Sequence, residues 1–229
     1  IIEPVKEYPY IDMRRINIFF HVATINNYQQ VFEEIFQEIS QSGLFDKIDN
    51  LFLSVVGNGE LNFKNNNKIT HIKNSELNYG EFYTLQLIED FCKTNTDCQI
   101  LYLHTKGVST PNNECIIDWR KYMTYFNVNQ HEKCLKSLKT HNTCGVDLVT
   151  TPTTHYSGNF WWANSNYIKT LPKISEITSE SYPRILSLRH NAEFWICMNK
   201  GSHDSLWNSN INVYERHLHI YKPNNYIKQ

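Results

Sequence analysis

The sequence predicts an α/β fold, a three-layer sandwich in which helices flank a central, mainly parallel mixed β-sheet. Short apolar segments rich in β-branched residues alternate along the chain with longer segments whose apolar residues recur at helical spacing. These short segments are continuously apolar rather than alternating with polar residues, which is typical of parallel strands covered on both faces. Ligands of such sheets collect at the carboxyl ends of the strands, so residues at those ends are the first candidates for function.

The first half of the chain alternates regularly between the two kinds of segment. Residues 16–25 (INIFFHVATI) predict a strand, and residues 26–44 predict a helix whose apolar face includes Val31 and Ile35 and which stops at Gly43. The elements after it are predicted in the order strand, strand, helix, strand, at residues 50–57, 68–73, 79–93 and 99–107. Because this last strand is the fourth in sequence, we expect it near the centre of the sheet.

The second half is less regular. One or two helices, a strand and a final helix are predicted, at residues 118–141, 146–152 and 184–201. Residues 155–172 (HYSGNFWWANSNYIKTLP) are hard to place by periodicity. They gather aromatic residues around a Ser-Gly-Asn turn and end in a short helix capped by Asn164 or Ser165.

Composition limits the class of protein. The 229 residues, 41% of them apolar, can bury the core of a single domain, predicted as residues 1–229, and the start at Ile1 rather than Met suggests a domain excised from a longer protein. The 22 basic and 23 acidic residues give a net charge of −1, which provides no field to attract nucleic acid. We find neither an apolar segment of membrane-spanning length nor a signal-peptide pattern in the sequence.

Cysteine usage bears on the cellular compartment. The six cysteines form no CxxC pair and no metal-finger spacing, so we expect reduced thiols and a cytoplasmic protein. The richness in Asn and Ile hints at an AT-rich genome, so the location would be the host cytoplasm if the chain is viral.

Three chemically capable side chains follow one another at the end of the fourth predicted strand. His104, Thr105 and Lys106 terminate the apolar segment ILYL. Lys106 could be only a solvated turn lysine before Gly107, and His104 only a satisfied polar residue. Their position at a strand end makes a binding role the alternative.

Six motifs in order resemble a family of viral and bacterial nucleotide-sugar glycosyltransferases with the GT-A fold. They are SGLFDKID, YGEFYTL, ILYLHTKGVS, DWRKYM, HYSGNFWWANSNYIKTLP and AEFW, and the resemblance spans roughly residues 15–200. LHTKG and HYSGNFWWA are the most specific. The resemblance implies a GT-A-like sandwich that transfers a sugar, a hexosyl group, from a nucleoside diphosphate sugar (a UDP-sugar is favoured) to a hydroxyl group of a glycan or glycoprotein acceptor.

The sequence departs from that family at the strand end. GT-A enzymes usually place an Asp-any-Asp element there, which binds a divalent metal on the diphosphate, but this chain has His104, Thr105 and Lys106. A lysine ammonium can itself neutralise a phosphate, so we expect a site that requires no metal cofactor, with Arg120 as a second phosphate contact or as a partner of Asp118.

A metal site is the alternative for the same chemistry. Mn²⁺ or Mg²⁺ could still bind, because a histidine near the C-terminus completes the metal site of several GT-A enzymes. His217 and His219 would lie on one face of a strand if residues 215–221 are extended.

The motif HYSGNFWWA resembles the GT-A loop beneath the donor sugar and the acceptor. It combines polar groups with flat rings, which suits sugar binding. The expected contacts are His155, Ser157, Gly158 and Asn159, with Trp161 or Trp162 as a platform. The alternative is that these tryptophans belong to the core.

Further roles follow from the same resemblance. Glu193, expected at the start of a late helix, is the candidate base for an inverting transfer; alternatively its carboxylate bonds a backbone amide or an arginine, and the enzyme is retaining. The nucleotide is expected to contact four residues, namely Thr24, Asn26, Tyr79 and Gly80, and the alternative for Asn26 is that it is only a helix cap. Two other functions remain open: a non-catalytic carbohydrate- or nucleotide-sugar-binding module on the same fold and, more distantly, a metal-dependent hydrolase.

Overall fold

The computed structural model describes residues 14–227, so residues 1–13 and 228–229 of the predicted domain lie outside the described part of the chain. The strands of the described part are β1 (Arg15–Ala23), β2 (Asn50–Val56), β3 (Ile69–Asn74), β4 (Cys98–His104), β5 (Thr143–Gly145), β6 (Leu148–Val149), β7 (His155–Tyr156), β8 (Trp161–Asn164) and β9 (His203–Ser205). Its α-helices are α1 (Tyr28–Gln41), α2 (Leu44–Lys47), α3 (Glu81–Thr94), α4 (Glu114–Thr124), α5 (His131–Ser137), α6 (Ser165–Ile168), α7 (Ile174–Ile177) and α8 (Leu188–Phe194).

A seven-stranded sheet organises the molecule, in the spatial order β3–β2–β1–β4–β8–β5–β9. The first four strands of this order run parallel to one another. β8 then runs antiparallel between β4 and β5, and β9 pairs in parallel with β5. The prediction of an α/β sandwich with a mainly parallel mixed sheet is confirmed, and β4 lies at the centre of the sheet as expected.

Both faces of the central strands are buried, because successive side chains point to opposite faces. Ile18 of β1 and Leu101 of β4 join an apolar cluster that α1 and α4 complete. Phe19 and Tyr102 join a second cluster on the other face, which α3 and α8 complete. Polar chemistry on these two strands is therefore confined to their ends.

The first half of the chain follows the predicted order closely. α1 buries Val31 and Ile35 as predicted, and it ends just before Gly43, whose φ of 76° suits a residue without a Cβ. The predicted helix at 79–93 is α3, and the strand predicted at 99–107 is β4, which ends at His104.

Two predictions in the second half are wrong in part, and a third is confirmed. The helix expected at 184–201 is much shorter, because α8 ends at Phe194 and only a 3₁₀ turn, Trp195–Cys197, follows it. The strand expected at 146–152 is the two-residue β6, and the sheet strand of this region, β5, precedes it. The prediction of one or two helices at 118–141 is confirmed, because α4 and α5 are joined there by a π-helical turn at Tyr125–Asn129.

Two further observations bear on the predicted compartment and partners. Among the described residues, no helix has the length and apolar character needed to cross a membrane. All six cysteines are free thiols, as predicted from their spacing.

Candidate functional site

A cleft of about 490 Å³ opens at the carboxyl ends of β1 and β4. Its floor is formed by the last residues of these strands and by the loop 105–110 after β4. One wall is the start of α3 with the preceding 3₁₀ turn, Leu77–Tyr79, and the other wall is the first turns of α8. The cleft is where an open α/β sheet is expected to bind its ligand.

Lys106 lies in this cleft, as the sequence predicted. Its Nζ is 4.0 Å from the centroid of the Trp119 ring. Within residues 14–227, no carboxylate comes within ion-pair distance of the ammonium. Burial lowers the pKa of Lys106, although the charges of Glu193 and Glu81 act in the opposite direction. The lysine is therefore a partly desolvated cation, held on an aromatic face and able to accept an anionic ligand.

Arg189 is a second cleft cation, and the sequence reasoning missed it. It is an exposed residue in the first turn of α8 that lines the cleft, and no hydrogen bond or ion pair occupies its guanidinium in the part of the chain described. Its charge contributes to lowering the pKa of Lys106, so the two cations act on the same space. The only signal in the sequence was its spacing of four residues before Glu193, which places both on one helix face.

His104 also lines the cleft, but its bonding differs from that of a phosphate ligand. Its Nε2 is 2.9 Å from the carbonyl oxygen of Gly158. Since a carbonyl oxygen only accepts, Nε2 carries the proton. Burial lowers the pKa of His104, which favours the neutral ring. Neutral His104 therefore presents an unprotonated Nδ1, which is a hydrogen-bond acceptor and cannot donate to a phosphate oxygen.

Glu81, the first residue of α3, places a carboxylate in the cleft. Its Oε2 accepts hydrogen bonds from Tyr102 Oη at 2.8 Å and Asn159 Nδ2 at 2.6 Å. Burial opposes ionisation, but the imidazoles of His104 and His21 and these two hydrogen bonds outweigh it, so the pKa of Glu81 is lowered to about 2. Glu81 is therefore an ionised carboxylate at neutral pH.

His21, at the end of β1, is the direct lateral neighbour of His104 on β4. Its Nδ1 is 2.8 Å from Thr84 Oγ1, which in turn donates to Ser54 Oγ. Burial lowers the pKa of His21 to about 4, so the ring is neutral at pH 7. Neither His21 nor Glu81 was among the predicted site residues, because local sequence pattern does not indicate which residues of α3 and β1 face β4.

Arg120 was expected as a phosphate contact or as a partner of Asp118, and both expectations are wrong. Its side chain is buried and bonds Glu34 through Nε and Nη2, at 3.2 and 3.0 Å. Its Nη1 donates to the carbonyl oxygen of Lys106 at 2.9 Å. Arg120 therefore fixes the backbone of the Lys106 loop, and its buried side chain is not part of the cleft lining.

Thr105, predicted at the diphosphate, joins the ends of the two central strands. It lines the cleft, but its hydroxyl oxygen accepts from the backbone N–H of Ala23 at 3.1 Å, and its own N–H donates to the carbonyl oxygen of His21 at 3.0 Å. The residue is buried, and its observed bonds hold β1 and β4 in register where they end.

The expectation that Trp161 or Trp162 forms a sugar platform is wrong. Both side chains are 0% exposed, and they lie in the two different apolar clusters on opposite faces of the sheet. The reason is that both belong to β8, which lies between β4 and β5 in the sheet. Its side chains alternate between the two faces of the sheet, and both faces are covered here. The alternative reading, in which they belong to the core, is correct for both.

The polar residues of the same motif form a layer behind the cleft rather than its floor. His155, Ser157 and Asn159 are each 2% exposed and do not line the cleft. His155 Nδ1 is bonded to the carbonyl oxygen of Thr153, and Asn159 bridges Glu81 and the indole N–H of Trp161. The motif therefore orients the side chains that do reach the cleft.

Gly158 is the link between that layer and the cleft. Its φ of 95° favours glycine, and an added Cβ would lie 2.4 Å from Met123 Sδ. Its carbonyl oxygen meets His104, and its N–H donates to Glu193 Oε1 at 2.7 Å. Gly158 is not part of the cleft lining, and its two peptide groups instead hold the side chains of His104 and Glu193 in place.

Glu193 was predicted as a base at the start of a late helix, but it lies in the last turn of α8. Its Oε1 accepts from the Gly158 N–H, which is the backbone-amide alternative that the sequence left open. The residue is half-buried and is not part of the cleft lining. Its role as a base stays a prediction.

The four predicted nucleotide contacts divide into two pairs. Tyr79, which is 58% exposed, and Gly80 line the cleft at the wall before α3. Thr24 and Asn26 do not line it. The Thr24 hydroxyl bonds the backbone at Val56 and Gly59, and Asn26 Nδ2 donates to the carbonyl oxygen of Val108 at 2.6 Å, so both stabilise the loops around the cleft.

The two C-terminal histidines are not in a strand. His217 lies in a 3₁₀ turn, Arg216–Leu218, and His219 follows it; both are exposed and lie outside the cleft lining. Within residues 14–227 there is no group of three His, Cys, Asp or Glu residues that could hold a metal ion. At the strand end, His104, Thr105 and Lys106 supply no carboxylate and the Lys106 ammonium would repel a divalent cation, so these three residues do not fit the metal that the GT-A resemblance implies.

Comparison with known proteins places the chain in a family. No curated protein matches the chain. A family model described as a domain of unknown function (DUF8361) matches residues 16–207. The matched part runs from β1 to just beyond β9 and includes every side chain discussed in the cleft, from His21 to Arg189. This chain is therefore a member of the DUF8361 family.

Proposed function

We propose that this protein is a glycosyltransferase on a GT-A-like fold that moves a sugar from a nucleoside diphosphate sugar to an acceptor hydroxyl. The observation that carries the proposal is the Lys106 ammonium, which lies in a cleft at the carboxyl end of β4 with no carboxylate in ion-pair distance among residues 14–227. The motif resemblance supports the reaction class, and the strand order supports the fold.

Charge explains why this arrangement suits the reaction. Cleavage of the bond between the anomeric carbon and the diphosphate leaves negative charge on the diphosphate, which must be stabilised for the reaction to be fast. Lys106, partly desolvated on Trp119, and Arg189 on the facing wall supply two positive charges in this cleft. In our proposal these two side-chain cations replace the metal ion of the related enzymes, so the proposed reaction needs no metal cofactor.

The remaining cleft residues fit the other parts of a nucleotide sugar. Exposed Tyr79 offers a ring on which a nucleobase can stack, and Gly80 lines the cleft next to it, where the ribose would lie. Ionised Glu81 has a second oxygen, Oε1, that makes no hydrogen bond in the described structure and can accept from a sugar hydroxyl. A carboxylate and a ring around an anion site favour a nucleotide sugar over a simple phosphate.

A thermal-shift screen tests this proposal. UDP-, GDP-, TDP- and CMP-sugars are added to the wild type and to Lys106→Ala, each with Mn²⁺ and with EDTA, since a ligand that binds only the native state raises the unfolding midpoint. We expect one nucleotide class to raise the midpoint in EDTA, and the rise to disappear in the variant. A rise that requires Mn²⁺ would contradict the metal-independent site, and no rise with any donor would contradict the proposal as a whole.

A turnover assay with the donor that the screen identifies separates the enzyme from the alternative, a non-catalytic module. The absence of an acidic pair at the end of β4 is the observation that favours such a module. A donor that binds but is never hydrolysed or transferred, over a long incubation with free glycans and glycoproteins, would favour the binding module. Release of the nucleoside diphosphate would support the transferase.

A further inference from the structure

The ring of His104 is held in one orientation by its surroundings. It stacks on Tyr102 at a centroid distance of 6.1 Å and meets Phe160 edge-on at 5.1 Å. Nε2–H donates to the Gly158 carbonyl oxygen, and no hydrogen bond to Nδ1 exists in the part of the chain described. His104 lines the cleft, and its Nδ1 is not among the fully buried polar atoms that lack a hydrogen-bond partner. The lone pair of Nδ1 is therefore accessible to a ligand in the cleft.

Charged groups around His104 affect how readily its ring takes up a proton. Glu81 on α3 and Glu193 on α8 both favour the imidazolium, whereas the charge of Lys106 disfavours it and neighbouring His21 is neutral at pH 7. Burial lowers the pKa of His104, so the ring starts neutral. On protonation, the Gly158 carbonyl and the ionised Glu81 would stabilise the new charge.

Glu193 is less suited to the same task. Its Oε1 is occupied by the Gly158 N–H at 2.7 Å, and the residue does not line the cleft. It acts on His104 through one peptide unit: the carboxylate holds the Gly158 N–H, and the Gly158 carbonyl holds the ring. Glu193 is thus a positioning residue in this arrangement.

We propose that His104 is the general base of the transfer and takes the proton of the attacking hydroxyl at Nδ1. This inference rests on the proposed glycosyltransferase function. The acceptor O–H bond breaks and its proton goes to Nδ1, while the oxygen forms a bond to the anomeric carbon. The bond from that carbon to the diphosphate oxygen breaks, and its electron pair leaves on the diphosphate beside Lys106 and Arg189.

The test uses hydrolysis, in which water replaces the unidentified acceptor. UDP-glucose, UDP-N-acetylglucosamine and GDP-mannose are the probes, and release of the nucleoside diphosphate is followed for the wild type, His104→Gln and Glu193→Gln. UDP and GDP affinities are measured in parallel by calorimetry. His71→Gln, an exposed residue of β3, is the matched control and should leave both quantities unchanged.

The expected result for His104→Gln is a turnover lower by about 10²- to 10⁴-fold, with nucleotide affinity within about threefold of the wild type. The wild-type rate should fall at acidic pH as His104 becomes protonated, with a midpoint below the ordinary value near 6.5, and this limb should vanish in the variant. Glu193→Gln can still accept from Gly158, so we expect a loss under about tenfold with the acidic limb retained.

Each other outcome overturns the assignment. If His104→Gln keeps its turnover within fivefold, or loses nucleotide affinity in proportion, His104 is not the base. If Glu193→Gln shows the larger loss and loses the acidic limb, the base is Glu193. A wild type that binds nucleotide without hydrolysis refutes the base but not the nucleotide site, whereas a wild type that does neither refutes the proposed function itself.

A second measurement covers the case in which His104→Gln does not fold. The ¹⁵N spectrum of histidine-labelled wild type at pH 7 reports which ring nitrogen carries the proton. We expect His104 to be neutral with the proton on Nε2, and a proton on Nδ1 would overturn the proposal.

Discussion

The tip of β4 and the segment 155–164 carry the most distinctive residues of the chain, and they differ in how their polar groups are satisfied. In the segment, the side chains of His155 and Asn159 and both indole N–H groups form hydrogen bonds inside the protein. At the tip, Lys106 has no ion pair and His104 keeps an unbonded nitrogen, within the described residues. A distinctive motif can therefore support a site without contacting the ligand, whereas polar atoms that have no partner inside the protein are the ones available to bind it.

The comparison predicts the largest effect for the core side chain Trp162. Replacement by Ala removes a ring that is 0% exposed, so we expect a loss of about 3–5 kcal/mol in the free energy of unfolding, measured by denaturant titration. Trp162→Phe keeps part of the packing and should bind nucleotide as the wild type does. A Trp162→Phe protein that is stable but no longer binds nucleotide would restore this residue as a ligand contact.

His21 shares a property with each of the two regions, because it is buried like the segment 155–164 and lines the cleft like the tip of β4. Its folded-state pKa of about 4 lies below the unfolded value near 6.5, so its contribution to stability is complete above pH 6.5 and is lost as the pH falls through 4. We expect the wild type to lose about 3 kcal/mol more than His21→Gln between pH 7 and pH 4. Equal pH dependence in urea titrations of the two proteins would contradict the neutral buried ring.

Lys106→Ala should separate binding from stability. Loss of a charge-assisted contact predicts nucleoside diphosphate affinity lower by about 10- to 100-fold, while the free energy of unfolding changes by less than about 1 kcal/mol because only a cation–π contact is lost. Lys73→Ala, which breaks an exposed pair with Glu60, is the control and should leave affinity unchanged. If Lys106→Ala is strongly destabilised, Lys106 has a structural role like the residues of the segment 155–164.

Arg189→Gln should have the smallest effect. The guanidinium is exposed, so solvent screens its attraction to a diphosphate, and we expect about a three- to tenfold loss of affinity measured by calorimetry. Stability should not change measurably, because no partner is lost within the described residues. Unchanged affinity would limit the anion site to Lys106.

The sequence predicted the tip far better than the segment, for a physical reason. β4 is a continuous apolar strand, so its end and the position of Lys106 follow from local pattern alone. β8 is four residues long and pairs with two strands that are distant in sequence, so no local period indicates that both tryptophans are buried. Local pattern predicts where a strand ends but not which distant strand covers it.

The site was predicted in part for the same reason. Lys106, His104 and Tyr79, which were predicted as ligand contacts, all line the cleft, and their contacts with a ligand stay predictions. Glu81 and Arg189 were missed, because their positions depend on how α3 and α8 pack against the sheet, and Arg120 was misassigned because its partner Glu34 lies 86 residues away. Side-chain roles that depend on long-range packing are not visible in the sequence.

The most direct measurement of the central claim is a calorimetric comparison of UDP with uridine, and of GDP with guanosine, in EDTA. If Lys106 holds the diphosphate without a metal, the wild type binds one nucleoside diphosphate at least about tenfold more tightly than its nucleoside, and this ratio falls towards one in Lys106→Ala. Equal binding of nucleoside and diphosphate by the wild type, or a ratio that Lys106→Ala leaves intact, would contradict the account.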